Sequence, residues 1–331
     1  KKRAKMNEIK EVKYGFQKHL SSRFPSQIIV DSTQFCNLAC IHCPHPSFIK
    51  TDAYSGSHLD IELHKKLIDE IATDGLGICQ YIRYTANGET LIHPKFEEMI
   101  EYAGKYCKTK INVTTNGVLL TEKKAKKLLD SGVNVFDISL DAYSNETYSK
   151  VRVKGDLSKV RPNVLNLIKL IKEGGYDAKL VVSFVEQPLN IHETKKFEDF
   201  WKNAGADFVV IRRLHSAGGA KDGIKSKMEE GFKTIKRKPC LYPWERLTIT
   251  PEGNLSYCPT DWMNKSHFIH FSKTTIKEAW QGKFMNSLRE AHLSNNYNGF
   301  DFCKQCPDWI HTRWPEEGDS YSNLMEKINE S

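Results

Sequence analysis

The sequence lacks any run approaching the roughly 18–20 apolar residues of a membrane-spanning helix, and its opening stretch KKRAKMNEIKEVKYGF has no signal-peptide hydrophobic region. A helical membrane protein is thereby excluded, and the expected location is the cytoplasm. Internal repeats and low-complexity tracts are missing as well. With 39% hydrophobic and 27% charged residues, the composition sets aside disordered and collagen-like chains. Charge of one sign is in short supply: 49 Lys+Arg against 41 Asp+Glu leave +8 over 331 residues. The basic clusters Lys123-Lys124, Lys126-Lys127 and Lys233 to Lys238 have no aromatics between them, so they read as solvated faces rather than a nucleic-acid surface. An anionic small molecule is the easier partner for such a surplus.

Cysteine, by contrast, is plentiful. Seven of the nine cysteines sit in tight or recurrent spacings, and without a secretion signal such clusters are more often metal ligands than disulfides. The other two, Cys79 and Cys107, fall at a strand start and a helix end and read as inert buried thiols.

From about residue 27 to 213, β-rich runs alternate with amphipathic ones. Strands are predicted at Gln27–Thr33, Gln80–Thr85, Lys110–Thr115, Val133–Leu140, Ala178–Phe184 and Asp207–Arg212. Helical patterns lie near Asp60–Asp74, Pro94–Tyr106, Thr121–Ser131, Leu157–Glu173 and His192–Ala204. Six β/α units imply an α/β fold, a partial (β/α)6 TIM-like barrel whose chemistry gathers at the C-terminal strand ends. Residues 1–26 read as a lead-in, 27–215 as the barrel and 216–239 as a linker of little periodicity. Residues 240–331 read as a small C-terminal α+β domain, with ERLTIT and NLSYC forming a hairpin across Pro251-Glu252-Gly253. Helices are expected there at Ile276–Trp280 and Phe284–His292.

Cys36, Cys40 and Cys43 follow the first strand as C-N-L-A-C-I-H-C. Three thiolates within eight residues can wrap one [4Fe–4S] cubane and leave one iron open to a reactant. Zinc completed by His42 or His45 is the competing use of this loop. Further polar residues stand at strand ends: Ala86-Asn87-Gly88-Glu89-Thr90, Thr114-Thr115-Asn116-Gly117, Ser139-Leu140-Asp141, and Ser183 followed by Gln187 and Asn190.

In these residues the chain resembles the radical S-adenosylmethionine (SAM) superfamily, whose signature is CxxxCxxC with an aromatic residue before the last Cys; that slot here is His42. The resemblance implies that Asn87, Gly88 and Glu89 stand for the family's GGEP motif, which binds the methionine amino group. It further implies that Thr115, Asn116, Ser139, Asp141, Ser183, Gln187 and Asn190 meet the methionine and ribose parts of SAM, and that His42 stacks near the adenine. Such enzymes reductively cleave SAM to a 5′-deoxyadenosyl radical that abstracts a substrate hydrogen, using an external reductant such as flavodoxin or ferredoxin.

Cys240, Cys258, Cys303 and Cys306, with Trp244, Gly253 and Trp280, resemble the family's SPASM/twitch extension, here with enough ligands for one auxiliary [4Fe–4S] cluster. Four protein ligands close such a cluster, which then passes electrons; structural zinc is the alternative. The compact extension resembles the 2-deoxy-scyllo-inosamine dehydrogenase-like members, which implies oxidation of an alcohol on a sugar or aminocyclitol. Redox-neutral sugar or nucleotide-sugar dehydration or epimerisation, and peptide or protein modification by a maturase or activating enzyme, are the alternatives. The short lead-in argues against a leader-peptide domain. Tyr84, Arg152, Lys154, Arg212, Arg213 and His215 are the candidate substrate contacts, and their cationic bias suits an anionic or sugar-like molecule. Arg152 or His215 would take the hydroxyl proton, His being the better base by pKa.

Overall fold

A computed structural model describes residues 12–85, 87–231, 234–318 and 321–330. Ala86, Lys233 and the first eleven residues of the lead-in lie outside the described residues. Six parallel strands follow one another in sheet order: β1 (Gln27–Val30), β2 (Tyr81–Tyr84), β3 (Lys110–Thr115), β4 (Val135–Ser139), β5 (Lys179–Glu186) and β6 (Phe208–Arg213). The connecting helices Ile61–Thr73, Phe96–Tyr106, Glu122–Asp130, Leu157–Gly174 and Thr194–Ala204 cover the outer face. Their starts are set by side chains that accept orphan helical N–H groups: Asp60 from Glu62 and Leu63, Thr121 from Lys124, and Asp156 from Ser158. This is the partial barrel expected from the alternation.

Strand alternation sorts the residues into two layers. Ile82, Tyr84, Ile111, Val113, Phe136, Ile138, Leu180, Val182 and Phe184 point outward into one core with helix residues such as Leu67, Ile71, Ile100, Leu128 and Leu167. The intervening residues face inward. At the N-terminal end Tyr81, Val135 and Val181 pack with Met325 and Ile328. Those last two belong to a helix, Tyr321–Glu330, that the sequence reading did not anticipate and that closes the bottom of the barrel. One inward step further along the strands stand Arg83, Thr114, Asp137, Ser183 and Arg212, so the floor is apolar and the layer above it polar.

Beyond β1 the sheet continues. β7 (Arg246–Ile249) pairs with β1 in parallel, Gln27 opposite Arg246, and β8 (Asn254–Ser256) and β9 (His267–His270) add antiparallel. The expected hairpin is therefore β7–β8, and Gly253 in its turn has φ +82, a backbone that favours glycine. Helices Ile276–Gln281 and Lys283–Ser294 pack behind it. Trp280 donates its indole N–H to Ser21 O at 2.9 Å, tying the lead-in to the C-terminal segment.

Two local differences have simple causes. β1 stops at Val30 because the chain turns toward the cysteine loop after Asp31, whose N–H still donates to Ile249 O at 3.0 Å, and Thr33 then makes an isolated bridge with His58. The region read as an aperiodic linker contains a helix, Asp222–Gly231; its one buried side chain, Met228, leaves too little apolar stripe to reveal it.

Candidate active site

The first cysteine loop is held on both sides. Ala39 and Ile41 donate N–H bonds to Val153 O (2.9 Å) and Val151 O (3.0 Å), and His45, at the start of the next helix, contacts Gln34 O through Nε2 at 2.8 Å. Cys36, Cys40 and Cys43 are close enough to feel one another's charge, and burial pushes the thiols of Cys36 and Cys43 up to about 11 and about 12. Buried neutral thiols in such a group lose their protons together when a metal centre takes them as ligands, so the loop fits an iron–sulfur cluster.

Next to it, Glu89 is buried and fully engaged. Thr115 Oγ1 donates to Oε1 at 2.5 Å, Asn116 N–H to Oε2 at 2.8 Å and Leu91 N–H to Oε1 at 3.2 Å. Asn116 in turn donates from Nδ2 to Asn37 Oδ1 of the cysteine loop at 2.7 Å. Gly88 allows this closeness: a Cβ there would lie 2.1 Å from Thr33 O and 2.6 Å from Phe35 O. Asn87 turns the other way, its amide donating to Asp261 O at 3.2 Å in the C-terminal segment.

A third group gathers at the ends of β4 and β5. Asp141, held at φ +61, ion-pairs with Arg152 at 2.6 Å and lies 3.6 Å from His42. It also accepts Val185 N–H at 2.6 Å, while Asn190 donates to Asp141 O and Val185 O at 2.9 Å each. Gln187 reaches His42 Nδ1 at 3.3 Å. Burial drives the His42 imidazole down to about 4, with Asp141 opposing, so the ring is neutral at physiological pH.

The barrel mouth opens into a cavity of about 880 Å³. One wall carries Ser139, Arg83, Asp137 and Arg212; the rim carries Arg213 and His215; the opposite wall carries Cys240, Cys258, Cys303 and Cys306. Those four thiols also sense one another's charge, with burial lifting Cys240 to about 11 and Cys306 to about 12, and they fit a second cluster on the same argument. His215 stands exposed at the cavity rim; desolvation by the protein around it lowers its pKa, and Asp308 works against the shift.

Several residues singled out in the sequence lie elsewhere. Tyr84 points outward, its hydroxyl 2.8 Å from His64 Nε2 beneath the helix Ile61–Thr73, and so faces away from the cavity. Lys154 is exposed at φ +72. Arg152 is buried beside the cysteine loop, with Nη1 3.8 Å from Cys40 Sγ; its pKa is raised by Asp141 and Cys40 against the desolvation. A guanidinium so held balances charge and does not accept a proton, which corrects its reading as a base. Ser183 donates to Asp137 at 2.5 Å inside the barrel. Arg83 and Asp137 were missed, although each is a lone charge within an otherwise apolar strand, YIRY and VFDIS. That pattern marks an inward polar position.

The model of the Radical SAM superfamily matches residues 30–199, and that of the SPASM iron-sulfur cluster-binding domain matches residues 240–307. The chain belongs to the radical SAM superfamily, and its cofactors are SAM and [4Fe–4S] clusters. Among curated relatives, it is 26% identical over 243 residues to a probable GTP 3′,8-cyclase of Methanocaldococcus jannaschii, covering 69% of this chain and 77% of that protein. It is 28% identical over 300 residues to the antilisterial bacteriocin subtilosin biosynthesis protein AlbA of Bacillus subtilis, covering 80% of this chain and 63% of that one. Among solved structures, BtrN in complex with AdoMet and 2-DOIA superposes with a TM-score of 0.58 at 19% identity, over 85% of this chain and 92% of that chain. No helix among the described residues is long and apolar enough to cross a membrane.

Proposed function

We propose that this radical SAM enzyme oxidises an alcohol carbon of a sugar- or aminocyclitol-type small molecule. The observation that carries the reading is the shared cavity, in which polar side chains of the barrel strands face the second cysteine group across a space suited to a small substrate. Cys36, Cys40 and Cys43 would hold the cluster that, with SAM, supplies hydrogen abstraction. Cys240, Cys258, Cys303 and Cys306 would hold one that supplies an acceptor for the electron left on the substrate.

The chain's own residues do the rest. Gly88, Glu89, Thr115 and Asn116 form a rigid polar shelf beside the first loop, and the Glu89 carboxylate organises it. His42, neutral and held by Gln187 and Asp141, offers a flat face for a nucleobase. Arg152 offsets the negative charge of Cys40 and Asp141. Ser139 borders the substrate space. His215 takes the hydroxyl proton: protonation at Nδ1 displaces its 3.1 Å contact with Ala217 N–H, and Asp308 favours the imidazolium. A flavodoxin or ferredoxin supplies the reducing electron in this reading, and the cytoplasm is where both are found.

A peptide substrate is the second reading, supported by the likeness to AlbA over 80% of the chain. The two separate by label. With a substrate deuterated at the alcohol carbon, oxidation transfers deuterium to 5′-deoxyadenosine and the product is about three daltons lighter than the labelled substrate, against about two for the unlabelled alcohol, with one SAM consumed per turnover. Loss of water, solvent label at carbon, or modification only of a peptide would sink the alcohol-oxidation reading.

A further inference from the structure

Inside the barrel two arginines share one carboxylate. Arg83 Nη2 lies 3.1 Å and Arg212 Nη2 2.7 Å from the same Asp137 oxygen, Oδ2. Their placement is fixed from behind: Arg83 Nε donates to Thr114 Oγ1 at 3.3 Å, Arg212 Nε to Ser183 Oγ at 3.1 Å, and Ser183 holds Asp137 Oδ1 at 2.5 Å. Two fixed positive charges against one negative leave one positive charge in this layer. Two of the other acids of the cavity wall are committed to bases of their own, Glu317 to Lys238 and Glu245 to Arg246, while Asp308, bonded to the N–H groups of Ser216 and Gly218, directs its charge at His215. Asp137 is almost fully buried, yet the Arg212 side chain keeps 30% of its surface accessible and lines the cavity.

We propose that the Arg83–Asp137–Arg212 layer is an oxyanion anchor that holds a phosphoryl group of the substrate, so that the enzyme acts on a phosphate ester. A guanidinium already oriented by a carboxylate and a hydroxyl presents its remaining donors without further loss of rotamer freedom, and its planar fork suits phosphate oxygens. The two arginines lie one residue below the ends of β2 and β6, and Asp137 two below the end of β4, so a molecule anchored there extends its other end toward the barrel mouth. This inference rests on the reading of the cavity as the substrate chamber, but its test needs no turnover.

Inorganic phosphate is titrated by calorimetry into the anaerobic, iron-loaded enzyme at saturating SAM. Saturable binding is expected, weakened at least tenfold in Arg212→Gln and less in Arg212→Lys, with iron content and circular dichroism of both variants matching the parent. Asp137→Asn removes the competing carboxylate and should tighten binding several-fold. Absence of saturable binding, equal affinity in Arg212→Gln, or weakening in Asp137→Asn as large as in Arg212→Gln would overturn the anchor, the last by making the layer purely structural. A phosphate site that behaves as expected beside a failed deuterium-transfer experiment would retain the anchor and reject the alcohol oxidation.

Discussion

Gly88 illustrates how much of this site rests on a missing methyl group. The loop after β2 and the loop after β1 approach so closely that a Cβ at residue 88 would meet two backbone carbonyl oxygens, Thr33 O and Phe35 O, and backbone cannot rotate aside as a side chain can. Glu89 N–H donates to that same Phe35 O at 2.8 Å, so the two loops are bonded as well as touching. Gly88→Ala should therefore cost roughly 1–3 kcal/mol of stability, and by pushing Glu89 off Thr115 and Asn116 it should weaken SAM binding. Thermal unfolding and SAM titration check this; parent-like values for both would show that the loops separate without consequence.

Among the elements, the contact between the helix Ile61–Thr73 and β2 carries a pH dependence. His64 is fully buried, bonded to Tyr84, and burial lowers its pKa to about 3, with His93 and Lys65 adding to the shift. An unfolded chain protonates this histidine near 6.5. Between those values the unfolded state holds more protons, so stability falls as pH drops from about 6.5 toward 3, with roughly 2 kcal/mol already lost by pH 5. His64→Phe should cost about 1 kcal/mol near pH 7 for the lost hydrogen bond and should flatten the decline between pH 6.5 and 5. Urea midpoints at the two pH values test this; a slope equal to the parent's would assign the acid sensitivity to other groups.

At the scale of the whole molecule, the two family regions are one structure. β7 closes the open edge of β1, and the main core runs without interruption from barrel residues such as Ile28 and Tyr84 to Leu247, Trp280 and Leu288. Met325 and Ile328 cover the inward face of the barrel floor. A chain ending at residue 239 would expose a sheet edge, a broad apolar face and the barrel bottom together. It should aggregate or stay unfolded, as judged by size-exclusion chromatography and circular dichroism; a soluble monomer that binds SAM would mean that the barrel is self-sufficient.

What could be read from the sequence was what depends on local spacing. The cysteine triplet, the six β/α alternations and the turn Pro251-Glu252-Gly253 are short-range patterns, because a strand's period of two and a loop's ligand spacing are set within a few residues. The polar strand ends were legible for the same reason, since parallel β/α units place them all at one end. Direction and partnership were not legible. Whether Tyr84 or Arg83 faces the cavity depends on which face of β2 meets the helices, and only the packed sheet decides that. Arg152 passed from candidate base to charge partner because Asp141 and Cys40, distant in sequence, converge on it. The helix Tyr321–Glu330 has its role from the surface it covers, and β7 from the edge it joins. Ligand spacing is local physics, whereas charge pairing, burial and the floor of the cavity are sums over residues that only the folded chain brings together.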